Sequence, residues 1–389
     1  MINTSLMLRS FHISTVIFAV TLLFFDTTLA QFEQPGGSKS LFSGASGMSL
    51  GGTQQQWTLQ DSGTISQQSA PISISIPLGD RMLFSVTNSG ATTKFDTAKV
   101  SSIVDTRLSL SYVFPGEKFW LTGGVSMPTG KTKLNTSQLQ LAALISQTAF
   151  AYRVPTFGQG LSGNIAIVYA GTITRRMVVG LGASYYYKGM YEPVEAASKF
   201  EYDAGDEFSL NLGYDFITYS KIARISLDLT ATYFFEDKLN GTTVFHSGPR
   251  MIGLAAYTIK TGSMNHLLQI RVRYRLPNTF YNGSTTTKYD ATTQTEGLYS
   301  LSYPLNEWLL GTAVGELKMF TADQIPVAGV PIETGKAAIG STGFDVTFLF
   351  SDFFYPTLNV RYALGNITLE GVSRDVQGVE AGLGVRIVF

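Results

Sequence analysis

From about residue 72 to the C-terminus, the chain alternates between apolar and polar residues with a period of two. "DTRLSLSYVF" sets Leu108, Leu110, Tyr112 and Phe114 against Arg107, Ser109 and Ser111. "DEFSLNLGYDF" sets Phe208, Leu210, Leu212, Tyr214 and Phe216 against Ser209, Asn211, Gly213 and Asp215. "IARISLDLTATYFF" and "TLNVRYAL" behave alike, and "HLLQIRVRYRL" sets Leu268, Ile270, Val272, Tyr274 and Leu276 against Gln269, Arg271, Arg273 and Arg275. A strand sends successive side chains to opposite faces, so each segment is a ribbon with one greasy and one wet side. Soluble strands average about five or six residues, whereas these runs reach the roughly 9–11 that a tilted membrane strand needs. Aromatic residues gather towards the segment ends, where an interfacial girdle belongs. The pattern predicts an all-β chain, a transmembrane antiparallel β-barrel with lipid outside and water inside.

The connections support this, because outer-membrane barrels alternate short turns with long external loops. Short connections fall at 115–118, 171–175, 217–221, 260–265, 304–307 and near 352–356. Long ones fall at 88–104, 128–159, 189–205, 237–248, 277–292, 321–339 and 366–377. About fourteen strands result: 81–87, 105–114, 118–127, 160–170, 176–188, 206–216, 222–236, 249–259, 266–276, 293–303, 308–320, 340–350, 357–365 and 378–389. "PISISIP", just before the first, is a candidate for a further strand, so sixteen are possible. The last segment, "VEAGLGVRIVF", places Val379, Leu383, Val385, Ile387 and Phe389 on one face. Here the chain resembles the bacterial outer-membrane barrel class, whose assembly machinery recognises a final strand ending in phenylalanine. That resemblance implies an assembly signal at Phe389 and a place in the outer membrane of a Gram-negative bacterium.

The N-terminus carries an export address. Arg9 and His12 precede "ISTVIFAVTLLFF", an apolar core too short for a comfortable membrane span, and Thr28 and Ala30 supply small residues before a cleavage point. We therefore read 1–30 as a signal peptide, 31–70 as a Gly/Ser/Gln-rich segment that is either a tail or a lumenal plug, and 71–389 as the barrel. Composition removes several function classes. Lys+Arg and Asp+Glu are both 28, which gives no footprint for nucleic acid, and only 14% of residues are charged against about 25% in typical soluble domains. Cysteine is absent, excluding disulfides and thiolate chemistry. Of the three histidines, only His246 and His266 lie beyond the signal peptide. Neither sits in a spacing that suggests a nucleophile or metal centre, and no Gly-rich phosphate loop is present. No enzyme activity and no cofactor are expected.

Two constellations are candidate sites. "TSQLQLAALISQTAF", in the long loop 128–159, has good helix formers with Thr136 or Ser137 as N-cap. Leu141, Leu144 and Ile145, with Phe150 beyond them, give this short external-loop helix an apolar side. It either packs on the barrel rim or lines a capture site for a hydrophobic ligand. Arg271, Arg273 and Arg275 form a lumen-facing ladder with a rung about every 7 Å. Glu296 on the following strand is the expected partner, with Glu316 or Asp345 further round. The ladder is either an ion-pair network that stiffens the lumen or a cationic wall that steers anions.

The phrases "GVSMPTGKT", "YYYKGMYEP…GDEFSLNLGY" and "SGMSLGGT" resemble FadL-type long-chain fatty-acid and aromatic-hydrocarbon channels and the related family labelled for the MetA pathway of phenol degradation. The Asn-Pro-Ala signature that usually comes after the last phrase is absent. The resemblance implies passive uptake of small hydrophobic or amphipathic compounds through a monomeric barrel. The expected partners are the lipid bilayer, the barrel-assembly machinery and the solute. A general porin, or an adhesin or structural barrel without transport, is the alternative.

Overall fold

A computed structural model describes residues 46–195, 200–218, 222–327, 330–369 and 371–389; the expected signal peptide and residues 31–45 lie outside them. Sixteen wall strands run in chain order: β1 (Gly47–Leu59), β2 (Gly63–Pro77), β3 (Met82–Phe95), β4 (Ala98–Ile103 and Thr106–Val113), β5 (Phe119–Met127), β6 (Ser162–Thr174), β7 (Met177–Lys188) and β8 (Glu207–Ile217). They continue as β9 (Ala223–Phe234), β10 (Arg250–Thr261), β11 (Met264–Arg275), β12 (Thr292–Asn306), β13 (Leu309–Phe320), β14 (Lys336–Phe348), β15 (Phe354–Leu369) and β16 (Val372–Val388). Each pairs antiparallel with the next, and β16 pairs with β1 in register from Gly47↔Val388 to Leu59↔Val376, closing the barrel. The count is sixteen, the larger of the two numbers the alternation allows, rather than about fourteen. The two additions are β1 and β2, which carry the Gly/Ser/Gln-rich stretch expected as a tail or plug; from Gly47 onward that stretch is wall.

The outward parity is the expected one. Leu181, Leu210, Leu229, Leu268, Ile270 and Val360 stand exposed on the outer surface. At the short-turn end this band is bordered by Tyr112 against Phe114 (5.0 Å), Phe119 against Tyr169 (5.1 Å) and the stack of Trp308, Phe348 and Phe350. At the long-loop end Tyr185, Tyr233 and Phe235 form the opposite border. Such a band between aromatic girdles is a lipid-facing surface.

On one side of the barrel, several strands run on past this band, and there the alternation inverts. In β2 the outward residues pass from Ile76, Ile74 and Ile72 to Gln68, Ser66 and Thr64, while inward Ile65 is fully buried. In β15 and β16 the outward residues become Asn366, Thr368, Gln377 and Asp375, and Ile367 and Val376 turn inward and are buried. Above the membrane, water is outside, so apolar side chains must face in. The expected long loops at 88–104 and 366–377 are therefore strand extensions: the first is closed by a tight turn at 96–97, and in the second the pairing runs on to Leu369↔Val372. The extension of β4 is offset by a break at Val104–Asp105. Inward residues are even-numbered before it (Val100) and odd-numbered after it (Arg107), so the extra chain re-aims the rest of the strand.

The loop 128–161 fills the space those inward apolar side chains enclose. It carries helix α1 (Thr136–Ile145), whose N-cap is Asn135 rather than Thr136 or Ser137. The Asn135 side chain accepts from the Gln138 N–H (3.0 Å) and Gln138 Oε1 accepts from the Asn135 N–H (3.3 Å), a reciprocal capping box. A short 3₁₀ turn, Thr148–Phe150, comes next. Three other long loops build a five-stranded external sheet from Tyr202–Asp203, Glu236–Leu239, Thr242–His246, Thr279–Asn282 and Thr285–Lys288.

Candidate functional site

The inserted loop is held at both ends and in the middle. At its ends, the Asp105 carboxylate, set in the β4 break, accepts from the Gly130 N–H (2.9 Å) and the Gln159 N–H (2.7 Å). In the middle, two glutamines that face each other in register, Gln55 of β1 and Gln67 of β2, treat the loop as a neighbouring strand. Gln55 Nε2 donates to the Ala151 carbonyl (3.2 Å), and its Oε1 accepts from the Arg153 N–H (2.8 Å). Gln67 Nε2 donates to the Val154 carbonyl (2.8 Å) and to Thr93 Oγ1 (2.9 Å), and its Oε1 accepts from the Val154 N–H (2.9 Å). A side-chain amide has one donor edge and one acceptor edge, like a peptide unit, so it can pair with a buried backbone that no strand reaches. Glu380 ties the arrangement together, taking Arg153 (2.6 Å), Gln55 Nε2 (2.8 Å) and Asn359 Nδ2 (3.2 Å).

Apolar packing completes the seat. Phe150 lies against Trp57, with ring centroids 5.4 Å apart, and Gly378 opposite Trp57 leaves the space its indole fills: a Cβ there would meet the ring at 2.9 Å. Tyr152 donates to the Ile65 carbonyl (3.2 Å), and burial pushes its phenol pKa up. Of the residues expected to line a capture site, Leu141 is 1% exposed, Ile145 and Phe150 are 0% exposed, and Leu144 packs partly buried on the same cluster. Of the two roles open to this apolar face, the structure shows it packed on the barrel rim. Its cover is the inverted, inwardly apolar rim formed by β1–β4 and β13–β16, which the alternation read as loops and tail did not reveal.

Because the loop packs on that arc, the lumen is left bordered by β5–β12. This arc is polar. Ser209 and Thr232 share a hydrogen bond, Arg224 pairs bidentately with Asp215, and the ladder lies on β11. Arg271 faces Glu296 in register and pairs with it, as the spacing predicts, through Nε (3.0 Å) and a second guanidinium nitrogen. Arg275 pairs with Asp323 (3.0 Å), from the loop after β13. Among the described residues, Arg273 donates only to the Gln294 side-chain oxygen (2.6 Å). Glu316 and Asp345 lie elsewhere: Glu316 holds Lys318 (2.8 Å) and Asp345 holds Arg361 (2.6 Å). Arg250 of β10, which stands opposite Arg275, was missed by sequence reasoning; it opens its strand on the inward parity, which was the available signal.

Where the loop leaves the wall, a cleft of ≈ 310 Å³ opens between Arg107, Ser126, Ser162 and Tyr186 on one side and residues 153–159 on the other. In the external loops, buried Asp237 accepts from Tyr202 Oη (2.6 Å) and the Gly205 N–H (2.7 Å). Burial raises the Asp237 pKa against those bonds, and raises that of Tyr202. His246 contacts the Phe234 carbonyl through Nε2 (3.0 Å), and His266 sits on the outer face with Tyr299 Oη (2.9 Å).

No protein-family model and no curated relative matches the chain. Among solved structures, it is similar to a bacterial polysaccharide outer membrane secretin at 9% identity, covering 88% of this chain and 98% of that one, with a TM-score of 0.46. It is also similar to OprB of Pseudomonas putida (9% identity, 88% and 93% covered, TM-score 0.44). The CymD monoaromatic hydrocarbon channel is a third (12% identity, 88% and 89% covered, TM-score 0.39). These overlaps are loose, and what the barrel can carry is decided by its own side chains.

Proposed function

We propose that this chain is an outer-membrane channel of a Gram-negative bacterium through which small amphipathic and polar compounds cross passively. The observation that supports it most is the division of the lumen. One arc of strands seats an apolar, tightly bonded loop, and the remaining arc, β5–β12, presents hydroxyls, amides and charges. A solute passing the loop slides along that polar arc. Fully hydrophobic compounds would require the loop to leave its seat, because its apolar side chains are already covered. The working protein is a monomer in the lipid bilayer, exported by the signal at 1–30 and delivered by assembly machinery that reads Phe389, and it needs no cofactor. Swelling of proteoliposomes in isosmotic arabinose, glycine and sodium benzoate is the test. Swelling faster than protein-free vesicles is expected with at least the smaller solutes; no swelling with any of them overturns the channel reading.

A further inference from the structure

We infer that Arg250 and Arg275, which lie over the Phe234 ring at the loop end of the free arc, and Arg273, one rung further in, form a binding site for a small organic carboxylate with an apolar body. The inference deepens the channel reading by naming a solute class for its lumen. Arg250 and Arg275 are direct register partners on β10 and β11, and Arg273 is one rung further in, opposite Ile252. Like charges placed opposite each other on paired strands repel, so this arrangement calls for compensation. The protein supplies only part of it. The guanidinium carbons of Arg250 and Arg275 lie 5.0 and 5.9 Å from the centre of the Phe234 ring, within cation–π range. Asp323 takes Arg275. Glu207 is only 3.8 Å from Arg250 and is held closer, at 2.7 Å, by Lys188.

Arg273 has the least compensation. Among the described residues its single hydrogen bond goes to a neutral amide oxygen, and no carboxylate lies within ion-pair distance of it. The Nε atoms of all three arginines are buried without a hydrogen-bond partner among those residues. Among the described residues here, six cations (Lys188, Arg250, Arg271, Arg273, Arg275 and Lys318) face four carboxylates, Glu207, Glu296, Glu316 and Asp323. The nearby Asp237 turns its oxygens to Tyr202 and Gly205 instead. A guanidinium fork matches a carboxylate through two parallel N–H···O bonds. Ile252 and Leu254 come after Arg250 on the inward parity of β10 and are half-buried, so a bound acid meets an apolar strip one strand wide below its charged end, flanked by Thr230 and Asp228 of β9 and by Arg273 and Arg271 of β11.

The test is benzoate binding to the full exported chain in detergent, read by calorimetry, with Arg273→Gln, Arg273→Lys and Lys260→Gln compared. Saturable binding is expected in the parent. Arg273→Gln should weaken it tenfold or more, by about 1.4 kcal/mol at that factor. Arg273→Lys should weaken it less, and Lys260→Gln, at the far end of the same wall, should not change it. Absence of saturable binding, or equal binding by Arg273→Gln, overturns the site. Inorganic phosphate bound as tightly as benzoate overturns the assignment to a carboxylate with an apolar body. Proteoliposome swelling separates the two proposals: benzoate binding without swelling keeps the site and removes the channel, and swelling without benzoate binding does the reverse.

Discussion

Gln67 shows how much one side chain carries in this barrel. It is wholly buried, and its amide satisfies both the N–H and the carbonyl of Val154 while also reaching Thr93. Replacement by leucine keeps the volume and leaves those backbone groups without partners in a dry place. We expect Gln67→Leu to cost about 1–3 kcal/mol, the desolvation cost of an unmet buried polar group, seen in detergent thermal unfolding. Amide exchange at Val154 should rise with it, whereas unchanged exchange there would mean the glutamine does not hold the loop. The sequence displayed Gln55 and Gln67 in a stretch rich in polar residues, and nothing local marks an amide destined to imitate a strand. The available hint was parity: Gln55 shares its face with Trp57 and Leu59, and Gln67 shares its face with Ile65. Arg271 and Glu296 were legible because a hydrogen-bonded hairpin pairs them directly, whereas Asp323 reaches Arg275 from a loop that periodicity does not address.

At the scale of elements, the governing fact is that the same outward parity has two meanings along one strand. Within the lipid band it must be apolar, and above the band it must be polar. Strands lying wholly in the band, such as β8, β9 and β11, were therefore readable from alternation to within a residue or two. The extensions of β3, β4, β15 and β16 reverse their alternation part-way and look like loops; for the same reason β1 is hidden, and of β2 only "PISISIP" reads as a strand. The contrast can be tested on one face. Leu229→Arg, pointing at lipid, should destabilise the protein in bilayers by roughly 2–4 kcal/mol. Thr230→Arg, facing water in the lumen, and Ser66→Arg, outward on the rim, should each stay within about 0.5 kcal/mol. Refolding titrations into lipid vesicles measure all three; a Ser66→Arg loss as large as that of Leu229→Arg would place the rim inside the membrane and undo the division of β2.

For the whole molecule, closure and filling are linked. Sixteen strands enclose a wider interior than side chains alone can fill, so a barrel of this size contains either water or inserted chain. This one contains inserted chain on the arc β13–β4, while the inward hydroxyls, amides and charges of β5–β12 are left uncovered by it. The fold class emerged from alternation and turn spacing, but the filling did not, because an apolar helix in an external loop fits a rim, a capture site or a plug equally well until its cover is known. The backbones at Gly130 and Gly158 run side by side, so residues 133–157 can be replaced by a short Gly-Ser linker without stretching the wall. Single-channel conductance of the parent and this variant in planar bilayers tests the divided lumen most directly. A divided lumen gives a steady, small conductance in the parent and a rise of roughly twofold or more once the loop is gone, since the arc it covers then opens to water. Equal conductance in the two proteins would contradict it.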